Sequence, residues 1–262
     1  MTYSQINPTK VGGFQKSVYR FDQRLPKVLN LHCGIGGNRK LWKDVEVTAV
    51  EYNQEIADVY RSFYPKDKII VTDAYEYLLK HYDEFDFIWA SPPCQSHSKI
   101  GYISMKTREK FNRGELPTMS RSKEIVLPDL RLYGLIIFLQ NFCKHKKWIV
   151  ENVVPYYKPL IEPTIKLDRH LFWSNFDIEH KEFKKPKTGH NKVTGKTERY
   201  GISLDGFKLK HRKDQIIRNC VNPQLGLYLF DCAFKETKQQ KLNGGNGIPP
   251  TNKLVGILPK IL

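Results

Sequence analysis

Long apolar runs are absent from this chain of 262 residues. A helix that spans a bilayer needs about 20 consecutive apolar residues, so the sequence predicts no membrane segment. The first residues, Met1 to Gln5, also lack the apolar core of a secretory signal. Because 40% of the residues are hydrophobic, a full core can still form. We therefore expect a soluble, cytoplasmic protein with no membrane partner.

Cysteine is scarce, with 5 residues in the chain, and none forms a Cys-x-x-Cys pair or a His/Cys spacing typical of zinc. This excludes a disulfide framework and leads us to expect no metal. Four of the cysteines are interpreted as small buried apolar residues: Cys33, Cys143, Cys220 and Cys232. Cys94 differs, because the flanking Pro92-Pro93 and Gln95 suit a fixed loop rather than a core.

Acidic residues are also in deficit, since 27 Asp and Glu face 43 Lys and Arg, for a net charge of +16. Such a charge attracts polyanions. A merely solvated, lysine-rich surface is the alternative interpretation, and charge alone does not decide between them. Combined with the motifs below, the charge favours a nucleic acid partner.

Apolar runs predict an α/β fold. Five of them are expected to be buried strands: Lys27–His32, Val45–Glu51, Lys68–Asp73, Phe85–Ser91 and Trp148–Asn152. Helices are predicted at Asn53–Phe63, with Asn53 as N-cap, at Asp129–Lys144, and directly after Gly37. Alternating strands and helices indicate a doubly wound, mostly parallel sheet.

Two of the predicted strands end in reactive residues. Cys94 follows one apolar run and Glu151 ends another. Ligands bind at the carboxyl ends of the strands in open α/β sheets, so a thiol and a carboxylic acid should emerge side by side over one cleft. This pairing suits chemistry on an electron-poor ring, where sulfur adds to a carbon while the acid protonates a ring nitrogen.

A glycine turn and two acids indicate a cofactor site. The turn Gly34-x-Gly36-Gly37 follows the first strand, and glycines there let the backbone approach a ligand. Glu51 and Asp73 end the next two strands, where they suit the ribose hydroxyls and the adenine amino group of an adenosine cofactor. NAD and S-adenosylmethionine both fit this geometry, although Arg39 stands where the dinucleotide fingerprint needs a third glycine.

These motifs resemble those of cytosine-5 DNA methyltransferases, of the short type found in phages and restriction-modification systems. Pro92–Gln95 and Glu151–Val153 are similar to the two catalytic signatures of that family, and Leu31–Gly37 is similar to its cofactor loop. Arg218–Val221 resembles its closing motif, and the motifs follow the family order. The likeness covers roughly residues 27 to 175 and 216 to 234.

The resemblance implies a Rossmann-like methyltransferase that uses S-adenosylmethionine, releases S-adenosylhomocysteine and needs no metal. Cys94 would add to the target cytosine, Glu151 would act at its N3, and Arg169 would hold the base, with His170 as the rival candidate. The residues expected at the cofactor are His32, Gly34, Ile35, Gly36, Gly37, Glu51, Asp73 and Asn219. His32 replaces the family's usual Phe and Asn30 its usual Asp, and only one Arg remains in the base-holding motif.

The implied substrate is double-stranded DNA with a flipped-out cytosine. Ser98–Leu127 would close over the base, and Asp177–Ile216 would form a small irregular or β insert for target recognition. The expected DNA-contacting residues are Gln95, Ser98, Arg108, Arg113, Arg121, Lys192 and Arg199. We expect a catalytic and cofactor-binding part at 1–176, the insert at 177–216, and a return to the catalytic part plus a tail at 217–262. We also expect a monomer that associates with the nucleoid of a bacterial or phage-infected cell.

Two alternatives stay open: a tRNA cytosine-5 methyltransferase and a catalytically impaired DNA-binding module of the same fold. Intact Cys94, Gln95, Glu151 and Asn152 argue against the impaired module. His32 and the altered arginine motif argue for it.

Overall fold

A computed structural model describes residues 24–98, 128–184 and 198–234 of the chain. Its main sheet contains β1 Lys27–Leu31, β2 Glu46–Glu51, β3 Lys68–Val71, β4 Phe87–Ala90, β5 Lys147–Val153, β6 Ile165–Leu167 and β7 His170–Ser174. A second, small sheet pairs β8 Glu198–Arg199 with β9 Ile202–Ser203. The helices are α1 Gln54–Phe63, α2 Ala74–His81, α3 Arg131–Phe142, α4 Lys213–Arg218 and α5 Pro223–Phe234, with a 3₁₀ turn at Tyr82–Glu84.

The main sheet has 7 strands in the order β3-β2-β1-β4-β5-β7-β6. The first five strands, β1 to β5, pair in parallel with their neighbours. In contrast, β7 lies antiparallel between β5 and β6. The strand order reverses between β1 and β4, and such a switch point opens a ligand crevice at the carboxyl ends of the strands. The predicted α/β fold, a doubly wound and mostly parallel sheet, is confirmed.

All five predicted strands are present, with ends that differ from the prediction by one or two residues. The predicted N-cap of α1 is confirmed, because the Asn53 side chain accepts a hydrogen bond from the Ile56 amide at 3.2 Å. Helix α3 is shorter than the predicted Asp129–Lys144 at both ends. The Asp129 carboxylate instead accepts a hydrogen bond from the Arg131 amide at 2.9 Å, just before the helix begins.

The predicted helix after Gly37 is wrong, because residues 34–41 form turns. Helix α5 occupies the space beside this segment. Trp42 is buried and donates from its indole nitrogen to the Gly226 carbonyl at 3.1 Å. A Cβ on Gly226 would lie 2.5 Å from the Asn38 carbonyl oxygen. The turns are therefore packed directly against α5, and a helix does not form there.

The sheet buries a hydrophobic core on each face. One core unites β-strand residues with α5 and the inner side of α1, and it is rich in aromatic rings: Trp42, Tyr60, Phe87, Trp89, Phe172 and Phe230. The other core packs α2 and α3 against the opposite face through aliphatic residues such as Leu78, Ile88, Leu135, Ile136 and Leu139. Both cores hold the sheet rigid beneath its carboxyl edge.

The described part of the predicted insert, residues 177–184 and 198–216, is irregular apart from the β8–β9 hairpin and the start of α4. Its apolar side chains form a third core with the cofactor loop and α1. Ile202, Leu204 and Ile216 pack in that core with Ile35 and Val59. The domain boundaries given above stay predictions. Within the described ranges, no helix is long and apolar enough to cross a membrane.

Candidate active site

Four strand ends bring the predicted site residues to one edge of the sheet. His32 follows β1, Glu51 ends β2, and Cys94 stands in the turn after β4. Glu151 lies near the end of β5, directly beside β4 in the sheet. The thiol, the two carboxyl groups and the glycine loop therefore lie along the same carboxyl edge of the sheet.

The glycine loop needs its glycines. Gly34 and Gly36 have positive φ angles of 53° and 77°, a region that favours glycine. A Cβ on Gly36 would collide with the rings of Tyr64 and Tyr60, and one on Gly37 would lie 2.7 Å from the Val221 carbonyl oxygen. The loop is thus pressed between α1 and the closing motif.

A buried polar network fixes the turns at this loop, where a helix had been predicted. Arg39 donates to both carboxylate oxygens of Asp67 at 2.8 and 3.0 Å and to the Trp42 carbonyl at 2.6 Å. The Tyr60 hydroxyl donates to Asp67 at 2.8 Å, and the Tyr64 hydroxyl donates to the Gly36 carbonyl at 2.7 Å. The side chains of Arg39 and Asp67 are 13% and 4% exposed. The loop is therefore fixed by side chains that come from outside it.

Asn30, which stands where the related family commonly has Asp, pairs with Asn38 beneath the loop. Asn38 donates to the Asn30 side-chain oxygen at 2.9 Å, and Asn30 donates back at 3.4 Å. Both residues are buried. An amide at position 30 supplies the donor and acceptor that this reciprocal pair requires.

Glu51 ties the loop to the start of α1. One of its carboxylate oxygens accepts a hydrogen bond from the Gly34 amide at 3.0 Å, and the other accepts from the Asn53 amide at 3.1 Å. Burial raises the pKa of Glu51, although these backbone hydrogen bonds oppose the rise. A carboxylate has about four acceptor positions, so Glu51 can still accept hydrogen bonds from a ribose.

Tyr52 is a candidate that carried no sequence prediction. It directly follows Glu51, and its side chain is 79% exposed. Large aromatic side chains are usually buried in part, so an exposed ring at the crevice suits stacking on a flat ligand. Its position next to Glu51, the acid predicted to bind a ribose, was the signal available in the sequence.

Asp73 stands between β3 and α2, and both oxygens of its carboxylate have protein partners. One oxygen caps α2 by accepting from the Tyr75 and Glu76 amides, and the other accepts from Arg131 at 2.7 Å. Burial favours a higher pKa for Asp73, but the hydrogen bonds from Arg131 and from these amides outweigh it and lower the pKa. Arg131 also lies over the Tyr75 ring, 4.1 Å from its centroid.

His32 has a strained backbone, with a φ of 52° that is uncommon for a residue other than glycine. Its ring meets the Tyr75 ring edge to face at 5.6 Å between centroids. Burial lowers the pKa of His32 to about 4, so the imidazole is neutral at physiological pH. Its Nδ1 is buried without a hydrogen-bond partner in the described part of the chain.

The closing motif reaches the glycine loop through its backbone. Cys220 and Val221 are the residues that a Cβ on Gly37 would meet. Asn219, predicted at the cofactor, follows the end of α4 and is exposed. Its role at the cofactor stays a prediction.

The turn that carries Cys94 is fixed from several sides. Asn152, which is 1% exposed, donates from its amide to the Pro92 carbonyl at 3.1 Å. The amides of His97 and Ser98 both donate to the Cys94 carbonyl, at 3.1 and 3.0 Å. The Cys94 side chain is thus presented by a hydrogen-bonded turn, as its proline-rich flank predicts.

A buried network behind this turn involves His97, which carried no sequence prediction. The ring of His97 is 1% exposed, and its Nδ1 lies 2.6 Å from the Tyr157 hydroxyl. The Tyr133 hydroxyl of α3 donates to the same Tyr157 oxygen at 3.1 Å. The network links the Cys94 turn to α3 and to the segment after β5.

Two nearby charges act on the Cys94 thiol in opposite directions. Burial raises its pKa, and the carboxylate of Glu151 raises it further. The positive charge of Arg169 lowers it. In the free protein Cys94 is therefore held largely as a thiol.

The two candidates for holding the base, Arg169 and His170, occupy different places. Arg169 lies in the turn between β6 and β7 and donates to the Arg218 carbonyl at 2.6 Å. His170 begins β7, and its Nε2 lies 3.3 Å from a carboxylate oxygen of Glu151. His170, the rival candidate, is therefore in contact with Glu151. Arg169 is anchored to the closing motif while its charge reaches Cys94.

The predicted DNA-contacting residues are only partly described. Gln95 is exposed next to Cys94, and Ser98 forms a β-bridge with Pro155. The backbone of Arg199 belongs to β8. The remaining four candidates lie outside the described residues: Arg108, Arg113, Arg121 and Lys192. In the described ranges, no group of three His, Cys, Asp or Glu side chains could hold a metal ion.

Comparison with known proteins confirms the family resemblance over part of the chain. Residues 26–119 match the model of the C-5 cytosine-specific DNA methylase family. This range contains the glycine loop, Glu51, Asp73 and the Cys94 turn, whereas Glu151 lies beyond it. No curated protein matches the chain.

Several solved structures are similar to parts of the chain. A mutant of DNMT2 from Spodoptera frugiperda is 22% identical with a TM-score of 0.32, over 49% of this chain and 35% of that one. The methyltransferase EhMeth from Entamoeba histolytica is 16% identical with a TM-score of 0.30, over 50% and 39%. A putative DNA modification methyltransferase encoded within an E. coli prophage is 18% identical with a TM-score of 0.31, over 51% and 33%. The chain thus spans little more than a third of the length of these structures.

Proposed function

We propose that this protein is an S-adenosylmethionine-dependent DNA (cytosine-5)-methyltransferase. The observation that carries the proposal is the position of Cys94 and Glu151 at the ends of the neighbouring strands β4 and β5. A nucleophile and an acid on one side of a glycine-loop crevice suit addition to a pyrimidine ring. The family match over residues 26–119 supports the same conclusion.

The residues of the crevice fit an adenosine cofactor. Glu51 keeps acceptor positions for the ribose hydroxyls, since each of its oxygens accepts one backbone hydrogen bond. Tyr52 and the neutral ring of His32 offer aromatic surfaces for the adenine, and Asp73 offers an acceptor for its amino group. When bound, S-adenosylmethionine supplies the electrophilic methyl group that C5 of the cytosine takes.

The protein residues make C5 nucleophilic. The Cys94 sulfur bonds to C6 of the cytosine while N3 takes a proton from Glu151, so that the ring electrons become available at C5. After methylation, water takes the C5 proton, and the electrons of that C–H bond restore the ring double bond as the bond between sulfur and C6 breaks. The N3 proton returns to Glu151, and 5-methylcytosine and the Cys94 thiolate are released.

Arg169, the predicted base-holding residue, and Asn152 support these steps. The charge of Arg169 favours the thiolate of Cys94 against the effects of burial and of Glu151. Asn152 fixes the Pro92 carbonyl in the Cys94 turn. A nucleophile must be held precisely in its productive position, and the Asn152 hydrogen bond restrains the turn that carries Cys94.

Double-stranded DNA is the proposed substrate, because the base must leave the stack to reach Cys94 and the chain carries a net charge of +16. The test is methyl transfer from labelled S-adenosylmethionine to mixed DNA and, in parallel, to tRNA. We expect label in DNA cytosines for the natural protein and none for Cys94→Ser, with DNA binding retained. Cys143→Ala, which removes a buried thiol at the end of α3, is the matched control and should keep activity.

A second arm of the experiment uses DNA that contains 5-fluorocytosine. The fluorine cannot leave as a proton does, so we expect a covalent complex between Cys94 and the DNA when S-adenosylmethionine is present. If label appeared in tRNA alone, tRNA and not DNA would be the substrate. DNA binding without label or covalent complex would favour the catalytically impaired module.

A further inference from the structure

His170 and Glu151 form a buried pair at the heart of the crevice. Strands β5 and β7 pair antiparallel with Val153 opposite His170 and Glu151 opposite Phe172. Glu151 and His170 are therefore diagonal neighbours on the same face of the sheet. Their side chains are 9% and 8% exposed, and the closest atoms are 3.3 Å apart. A buried carboxylate needs a partner, and the imidazole is in place to be one.

We infer that His170 shares a proton with Glu151, so that the proton donor to the cytosine ring is a Glu–His pair. This inference rests on the proposed function and identifies a further residue for it. His170 acts through Glu151 and is in this sense a positioning and proton-holding residue. Such a pair differs from a carboxylate held by arginine, because guanidinium stays protonated and has no proton to share.

The pair regains its proton in each catalytic cycle. Before the reaction, one proton resides between the Glu151 carboxylate and the His170 imidazole. As the Cys94 sulfur bonds to C6, the pair gives this proton to N3 and is left as a carboxylate beside a neutral imidazole. When that sulfur leaves, the proton returns from N3 to the pair, so the cycle consumes none.

Two other ionisable groups, those of Cys94 and Arg169, stand near the pair. Cys94 faces the pair from the turn after β4, and its pKa responds to Glu151. Arg169 stands in the turn before β7 with its guanidinium bound to the Arg218 carbonyl. Because an imidazole in water titrates near neutral pH, the shared proton makes the reaction sensitive to pH in this range. Raising the pH removes the proton and stops donation to N3.

The first experiment compares the pH dependence of kcat/KM for methyl transfer by the full chain. We expect His170→Gln to lower activity at neutral pH by roughly tenfold to a hundredfold, less than the 10²–10⁴ of a whole general acid because Glu151 remains. On the alkaline side of the profile, kcat/KM should fall at a different pH in His170→Gln and in His170→Arg than in the natural protein. His81→Gln is the matched control, since His81 forms an exposed pair with Glu84 at 2.6 Å. The control should keep the natural profile.

A second experiment does not depend on activity. The ring of His170 is titrated by NMR in the free, nitrogen-labelled protein and in Glu151→Gln. Removal of the carboxylate charge should lower the midpoint of the His170 titration, because a neighbouring anion favours the imidazolium. An unmoved midpoint, or an alkaline limb unchanged in His170→Gln, would overturn the inference. If the NMR shift is found but no substrate is methylated, the pair stands and the proposed function fails.

Discussion

The position of Cys94 and the pKa of its thiol are determined by its neighbours. Its turn is locked by hydrogen bonds to its carbonyl, while burial and Glu151 raise the pKa of its thiol. Arg169 is the opposing charge, and it is held by the Arg218 carbonyl of the closing motif. A thiol that is largely protonated in the free protein is protected from unwanted reactions, because the thiolate is the reactive form.

The first prediction concerns this thiol. Alkylation of Cys94 by iodoacetamide, followed by mass spectrometry, should keep accelerating as the pH rises beyond the range of an ordinary cysteine, because its pKa is raised. At a fixed pH, Glu151→Gln should accelerate the reaction and Arg169→Ala should slow it, whereas Arg169→Lys keeps the charge. The other cysteines are buried and serve as internal references. Equal rates in all variants would contradict the proposed electrostatics.

Glu51 supports a second prediction. Glu51→Ala should weaken binding of S-adenosylhomocysteine about tenfold to a hundredfold, since hydrogen bonds to a charged group contribute roughly 1.5–3 kcal/mol. Titration calorimetry measures the change. Glu46→Ala, at the exposed opposite end of the same strand, is the control and should bind normally. Unchanged affinity in Glu51→Ala would remove Glu51 from the cofactor site.

The choice between Arg169 and His170 marks a limit of prediction at the residue scale. Arg169 stands in the turn before β7 and His170 begins that strand, so a shift of one residue in register would exchange their places. The register of β7 on β5 places His170 opposite Val153. The sequence supplies both candidates, but the strand pairing that brings His170 to Glu151 arises only in the folded sheet.

At the scale of elements, the parallel strands were predictable and the short antiparallel pair was not. β4 is a continuous apolar run, and β1, β2 and β5 are mostly apolar in their central residues, as expected for strands covered on both faces. β6 has 3 residues and exists through its pairing with β7. The false helix after Gly37 has a similar cause, because Arg39 and Trp42 obtain their partners from α5, Asp67 and the loop itself.

The network under the glycine loop gives the third prediction. Asp67→Ala leaves a buried Arg39 unpaired, so the free energy of unfolding should fall by about 3–5 kcal/mol, and S-adenosylhomocysteine should bind more weakly. Asp58→Ala is the control, because Asp58 and Arg61 form an exposed pair and such pairs contribute about 0–1 kcal/mol. Urea unfolding checks both values. Similar losses in the two variants would show that the network does not support the loop.

At the scale of the whole molecule, the β8–β9 hairpin is hydrogen-bonded to the turns that follow the glycine loop. Lys40 donates to the Tyr200 and Gly201 carbonyls at 2.9 and 2.6 Å. Glu55 accepts from the Lys210 amide at 2.6 Å. The described part of the proposed insert is thus tied to the glycine loop and α1. Residues of this hairpin are therefore held in a fixed relation to the crevice.

The last prediction separates the two basic segments, whose key residues lie outside the described ranges except for the backbone of Arg199. Neutralising Arg108 and Arg113 should weaken binding to all DNA alike and flatten its salt dependence, because phosphates carry no sequence information. Changing Asn191, Lys192 or Arg199 should instead alter which cytosines are methylated, since a base contact contributes roughly 1–3 kcal/mol of discrimination. Bisulfite sequencing of methylated DNA measures the second effect, and binding at several salt concentrations measures the first. If both sets of variants lower affinity only in proportion to the charge removed, the insert does not read sequence. Recognition would then reside elsewhere in the chain, and residues after Phe234 would be the next to test.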